Sequence, residues 1–183
     1  ATQMIESMIK EPFPTRAEIN DIYQAVTMWA DCTMLSWETA IGSYPIQATH
    51  FMKQTIQTAE KNSHRKLVDF SDEGRSTLWL LQKHLVQSAL LLAQHINAAW
   101  IVVFTKSWTQ AKLLSAYKAM IPILACTRDT WVAEKLGYYY GVIGRTIQGK
   151  PDITFDWISS QCQIIDNPNR RPFVVVADTD TST

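Results

Sequence analysis

A chain of 183 residues with 17 basic and 17 acidic side chains carries no formal net charge, which leaves neither nucleic acid nor an anionic membrane an electrostatic claim as its main partner. At 46% hydrophobic and 19% charged residues, the composition is that of a soluble globular chain with one domain or one and a half small ones. Cys32, Cys126 and Cys162 are scattered without metal-ligand spacing and read as reduced thiols of an intracellular protein.

The predicted elements begin abruptly. No signal or transit pattern stands at the N-terminus, and the first residues read as the middle of a fold. Thr15-Arg16-Ala17-Glu18 has the form of a capping box: a Thr hydroxyl accepts from a free amide, and a Glu three residues on reaches back. Ile19, Ile22, Tyr23, Val26 and Ala30 then recur at helical spacing. Cys32 to Leu35 is an apolar run too short for a helix and is expected to be a buried strand. Ser36 to Tyr44 reads as a loop. Pro45 suits the first turn of another helix, with Ala48, Phe51, Met52, Ile56 and Ala59 as its apolar stripe.

Residues 63–75 are polar and charged and form the expected linker between a first region, 1–62, and a second, 76–183. Asp69 to Arg75 reads as a solvated face. Leu78, Leu81, Leu85, Ala89, Leu92 and Ile96 follow at helical spacing. Gln82, Lys83, His84, Gln87 and Gln94 interrupt that tract, which fits a buried amphipathic helix and not a membrane span.

Strands are then expected at Trp100 to Phe104, Ile121 to Ala125, Val142 to Ile147 and Phe173 to Ala177, with Pro122 arguing for an early or edge position. Helices between them carry Leu113, Leu114 and Tyr117; then Val132, Ala133 and Leu136 behind a Thr130 cap; then Phe155 to Ile165. Strands separated by helices imply parallel pairing and an α/β layered domain. Ligands of such folds sit beyond the carboxyl ends of strands, where the Thr105–Thr109 loop lies. His50, His64, His84 and His95 form no ligand pattern and are expected at the surface or in packing.

Several of these segments resemble motifs of one enzyme family. Ala1 to Ile9, then Pro14 to Glu18, then Asp31-Cys32-Thr33-Met34-Leu35-Ser36-Trp37-Glu38-Thr39-Ala40-Ile41-Gly42-Ser43-Tyr44-Pro45 look like three consecutive pyruvate kinase motifs in the family's order. Thr105-Lys106-Ser107-Trp108-Thr109, Ala111 to Tyr117, Pro122 to Ala125 and Tyr140-Gly141-Val142 look like its C-terminal domain. The resemblance implies an α/β chain made of the last two β/α units of a TIM-type barrel, followed by a pyruvate-kinase-like C-terminal α/β domain.

That family transfers a phosphoryl group from phosphoenolpyruvate to ADP with divalent metal and usually potassium. The resemblance implies that Thr2 matches a threonine near the substrate carboxylate and enolate carbon, and Ser36 a serine of a water-mediated proton relay. It also implies an effector phosphate site at Thr105, Lys106, Ser107 and Thr109, for a sugar phosphate. The family's catalytic lysine, two acidic metal ligands and nucleotide contacts match positions upstream of Ala1. Magnesium and potassium are therefore expected only if a partner completes the barrel, and this chain alone is expected to be inactive.

The plainer readings stand beside these. Thr2 can be a frayed terminal residue, Ser36 a loop hydroxyl, and the Thr105 loop an ordinary strand-to-helix connection. Trp29, Trp37 and Trp108 stand where the family usually has glycine, which removes conformational freedom or close backbone approach there. Two readings follow: part of a working cytoplasmic enzyme, or a degenerate structural subunit of a larger assembly. Either one expects another polypeptide over residues 1–62, because two strands of a barrel leave open edges. A homo-oligomer is compatible with both, and so is an organellar location in place of the expected cytoplasmic one.

Overall fold

In a computed structural model of the chain, Thr15 opens helix α1 (Arg16–Thr27) with the expected capping box. Its hydroxyl accepts from the Glu18 amide at 3.3 Å, and the Glu18 carboxylate accepts from the Thr15 amide at 2.7 Å. The structure describes residues 1–62, 71–118, 120–149, 154–162 and 171–177, in two compact units, Ala1–Arg65 and Lys66–Thr183.

In the first unit a single-turn 3₁₀ helix (Glu6–Ile9) precedes α1, a short helix α2 (Trp37–Ala40) follows it, and α3 runs over Pro45–Asn62. Helix α3 buries Ala48, Met52, Thr55 and Ala59. Met4, Ile5 and Met8 join Ile22, Ala48 and Met52 in one apolar cluster, with Leu35 and Tyr44 partly buried against it. The strand expected at Cys32 to Leu35 is not formed. A strand exists only through its ladder partner, and the described residues of this unit contain no other strand. Ser36 to Tyr44 is likewise not all loop, since α2 occupies part of it.

The second unit is built on four parallel strands, β1 (Trp100–Phe104), β2 (Ile123–Thr127), β3 (Val142–Thr146) and β4 (Phe173–Ala177), in the order β3-β2-β1-β4. Ile101 pairs with Ile123 on one side and Val174 on the other. The period-2 alternation along β1 divides its side chains between two clusters. Ile101 and Val103 face α4 (Thr77–His95), α5 (Thr109–Ala116) and α6 (Thr130–Leu136), whereas Val102 faces Ile158 of α7 (Phe155–Cys162). The chain steps from β1 to β2 to β3 and then returns to the far side of β1. A right-handed crossover in that reversed direction carries α7 to the opposite face.

Several expectations are corrected here. Helix α4 turns Val86, Ala89, Leu90 and Ala93 inward and leaves Leu78, Leu81, Leu85, Leu91 and Leu92 exposed. Its apolar residues run nearly all round, so the face is chosen by fit, and two alanines let it approach the sheet closely. Lys83 is buried with it and is paired at 2.7 Å with Asp72, which itself stays exposed, as do the other described residues of the expected solvated face, 71–75. Strand β2 starts at Ile123 and not Ile121, and it is flanked on both sides, so of the early and edge positions expected for Pro122 the early one holds, just ahead of a central strand. Asp129, not Thr130, caps α6, accepting from the amides of Trp131 at 2.8 Å and Val132 at 3.3 Å. The end of the expected helix at residues 163–165, His64 and most of the 63–75 segment lie outside the described residues.

Gly144 is fixed by packing of α6 on β3. A Cβ built there would stand 1.9 Å from the Ala133 carbonyl oxygen, so no side chain fits without moving the helix. Among the described residues no helix is long and apolar enough to cross a membrane.

Candidate functional site

Two segments of the first unit meet around a cavity of about 350 Å³ lined by Thr2, Gln3, Glu6, Ile9, Ser36, Trp37 and Glu38. Thr2 and Gln3 both sit in the left-handed backbone region, at φ 61 and 52, and this turns the segment sharply before Met4 and Ile5 enter the core. The Thr2 hydroxyl donates to the Ala1 carbonyl at 2.7 Å. Ser36 precedes α2 without using its hydroxyl as a cap, while its carbonyl accepts from the amides of Thr39 at 3.3 Å and Ala40 at 3.0 Å. The structure thus brings Thr2 and Ser36, far apart in sequence, to the wall of one cavity.

Glu38, which matches no metal ligand of the resembled family and has no role assigned from sequence, also lines this cavity. It is 2% exposed, and its carboxylate accepts from the amides of Ser36 at 2.8 Å and Ile5 at 3.3 Å. Burial presses its pKa upward; the amides of Glu38, Ser36, Ile5 and Met4 together outweigh that and hold the carboxyl below its ordinary value. A lone Glu in a turn gives no sequence signal for this. The neighbouring Trp37 is 65% exposed at the rim.

A divalent metal would need several converging oxygen ligands. Among the described residues no three His, Cys, Asp or Glu side chains form such a group. Glu38 is already committed to amides, so the acids of this cavity do not by themselves fit a metal.

The second expected site lies at the carboxyl end of β1. Thr105 is buried, and its hydroxyl bonds the Ser107 carbonyl while accepting from the Ser107 amide at 3.2 Å. The Ser107 hydroxyl donates to Thr109 Oγ1 at 3.3 Å. Lys106 is exposed beside them. These four residues therefore share one turn, with much of its hydroxyl capacity used internally. Trp108 stands at the start of α5, and its ring lies 5.6 Å from that of Trp131 on α6, whose other neighbour is the Lys135 ammonium at 4.3 Å. The Trp131 and Lys135 contacts were not anticipated, because nothing in the sequence says that the loops after β1 and β2 come together.

Cys126, on β2, is buried, and burial pushes its thiol up to about 11 against a small opposing pull from Arg145. Such a thiol is inert at neutral pH.

Residues 1–49 match the pyruvate kinase barrel-domain family, and residues 83–164 match the pyruvate kinase alpha/beta-domain family. A pyruvate kinase of Borreliella burgdorferi is 30% identical over 181 residues, covering 99% of this chain and 36% of the relative. One of Hypocrea jecorina is 40% identical over 163 residues, covering 86% of this chain and 30% of the relative. The crystal structure of a pyruvate kinase from Cryptosporidium parvum is similar over 96% of this chain and 36% of that one, with TM-score 0.78 and 28% identity. The chain thus spans between 30% and 36% of the length of these relatives.

Proposed function

The chain belongs to the pyruvate kinase family, holding the end of its barrel domain and its alpha/beta domain, and from that premise we propose that it contributes part of a site for phosphoryl transfer from phosphoenolpyruvate to ADP. In this reading Thr2 and Ser36 supply hydroxyls at the substrate end of the barrel. A hydroxyl both donates and accepts, so each can hold a substrate oxygen or pass a proton through water. The observation that carries the reading is that these two residues, 34 positions apart in motifs of the family's order, line one cavity.

Residues 1–183 alone would not turn over. Phosphoryl transfer depends on cations that neutralise charge on the transferred group. The lysine and acidic metal ligands of the family match none of these residues, and the acids of the cavity do not form a metal set. Magnesium and potassium would be held with barrel residues outside this stretch. Those residues would also cover the first unit, whose apolar cluster is small. The Thr105–Thr109 turn would receive the phosphate of a sugar phosphate effector, and the scattered thiols support a reducing, cytoplasmic setting.

A second reading is favoured by one observation: Trp37 stands 65% exposed on the wall of the same cavity, beside Ser36. A side chain of that size competes with substrate for the space. In that case the chain is a non-catalytic, structural member of the family. Supplying the rest of the barrel as a second polypeptide separates the two, because the first reading predicts phosphoenolpyruvate-dependent ATP formation and the second predicts assembly without it.

A further inference from the structure

Glu38 has an unusual position for a carboxylate. It is almost wholly buried, it lines the cavity, and its partners are main-chain amides on two different segments. One oxygen, Oε2, takes the Ser36 amide at 2.8 Å, and the other, Oε1, takes the Ile5 amide at 3.3 Å. The Ser36 bond fixes the backbone of a residue placed in the site. The Ile5 bond fixes the segment that turns back through the left-handed Thr2 and Gln3.

We propose that Glu38 is a positioning residue for the site: its carboxylate ties the segment bearing Thr2 to the segment bearing Ser36 and so sets the spacing of the two hydroxyls. This rests on the phosphoryl-transfer reading for its consequence in catalysis, but the tie itself does not.

The chemistry favours an ionised carboxylate over any other group here. Two amide donors arrive at two different oxygens, and an ionised carboxylate accepts at both. A glutamine offers one oxygen and one NH₂, so one of the two amides would face a donor and its segment would be released. An aspartate is a methylene shorter and cannot reach both. The chain also passes close to the Glu38 backbone: a Cβ on Gly42 would stand 2.5 Å from the Glu38 carbonyl oxygen. Transition-state geometry is sensitive at this scale, since a misplacement of about 1 Å can cost about a hundredfold in rate.

The test has two arms. In the full chain, the amide protons of Ile5 and Ser36 are followed by NMR during acidification. They are expected to shift together with one midpoint below the ordinary glutamate range, and Glu38→Gln is expected to abolish that shared titration. Separate midpoints, or no titration at either amide, would overturn the tie whether or not the chain has any activity. In the second arm, the chain is combined with a polypeptide carrying the remaining barrel, and kinetics are measured with phosphoenolpyruvate. Glu38→Gln is expected to lower kcat by roughly tenfold to a hundredfold with little change in KM. Asp72→Asn, which loosens the Lys83 pair of the second unit, is expected to leave kcat within about twofold. An unchanged kcat in Glu38→Gln, or an equal loss in Asp72→Asn, would overturn the positioning role. Failure of the unsubstituted assembly to turn over would count against the phosphoryl-transfer reading and with it this catalytic role, while the NMR arm would still decide the tie.

Discussion

Glu18 of α1 is joined to Ser7 of the preceding 3₁₀ turn twice, its carboxylate accepting from the Ser7 amide at 2.7 Å and from the Ser7 hydroxyl at 2.6 Å. The same carboxylate closes the capping box with Thr15. One acidic side chain therefore caps α1 and anchors the turn that carries Met8 into the core. Glu18→Gln should cost about 1–2 kcal/mol, because one oxygen that accepts becomes a donor facing donors. Hydrogen exchange at the amides of Glu6–Ile9 and the first turn of α1 should rise together. Unchanged protection there would refute the double role.

Acid should loosen the first unit by the same means. Burial raises the Glu18 pKa, but the hydroxyls and amides of Ser7 and Thr15 outweigh it, so the folded value lies below the ordinary one; Glu38 is shifted the same way. For a group depressed on folding, the stabilisation is full above the unfolded pKa and is lost as pH falls through the folded pKa. Protection of residues 5–9 and 36–40 should accordingly be flat above about pH 5 and decline below it. A decline centred near neutrality would point to histidine instead.

Trp29 ends α1 in the left-handed region at φ 77, where a side chain with a Cβ is strained. At ordinary positions Gly is less stabilising than Ala. Here the order should reverse, with Trp29→Gly more stable than Trp29→Ala by about 1 kcal/mol in urea denaturation. Equal stability, or Ala ahead, would mean that the backbone strain is relieved elsewhere.

Gly144→Ala should be costly, since the new methyl would overlap the Ala133 carbonyl and force α6 away from β3. The expected loss is roughly 1–3 kcal/mol, read as a lowered midpoint for the second unit. A loss under about 0.5 kcal/mol would show that α6 shifts freely.

The two units should also differ in independence. The second has helices on both faces of a parallel sheet and two apolar clusters, so residues 76–183 should melt cooperatively. Residues 1–60 should be largely unfolded by circular dichroism when isolated, and a cooperative melt would contradict that.

What was legible in the sequence was whatever local chemistry decides. The capping box at Thr15 and Glu18, the proline start of α3, and strands β1 and β4 all follow from neighbouring residues. What was hidden depends on partners distant in the chain. Helix α4 carries leucines on several faces, so only the sheet beneath it could select Val86 and Leu90 over Leu85 and Leu92. Cys32 to Leu35 has strand composition, but the described residues of its unit offer no strand to pair with. Thr2 and Ser36 were named from the family's motifs, whereas Glu38 became visible only when Ile5 and Ser36 were seen on the same carboxylate.

The most direct test of the proposed function is a coupled assay of residues 1–183 with phosphoenolpyruvate, ADP, Mg²⁺ and K⁺, run alone and again with a polypeptide carrying the remaining barrel. No turnover is expected alone, and pyruvate should form once the barrel is complete, with loss of activity in Ser36→Ala. Turnover by residues 1–183 alone would contradict the need for cations held outside this stretch.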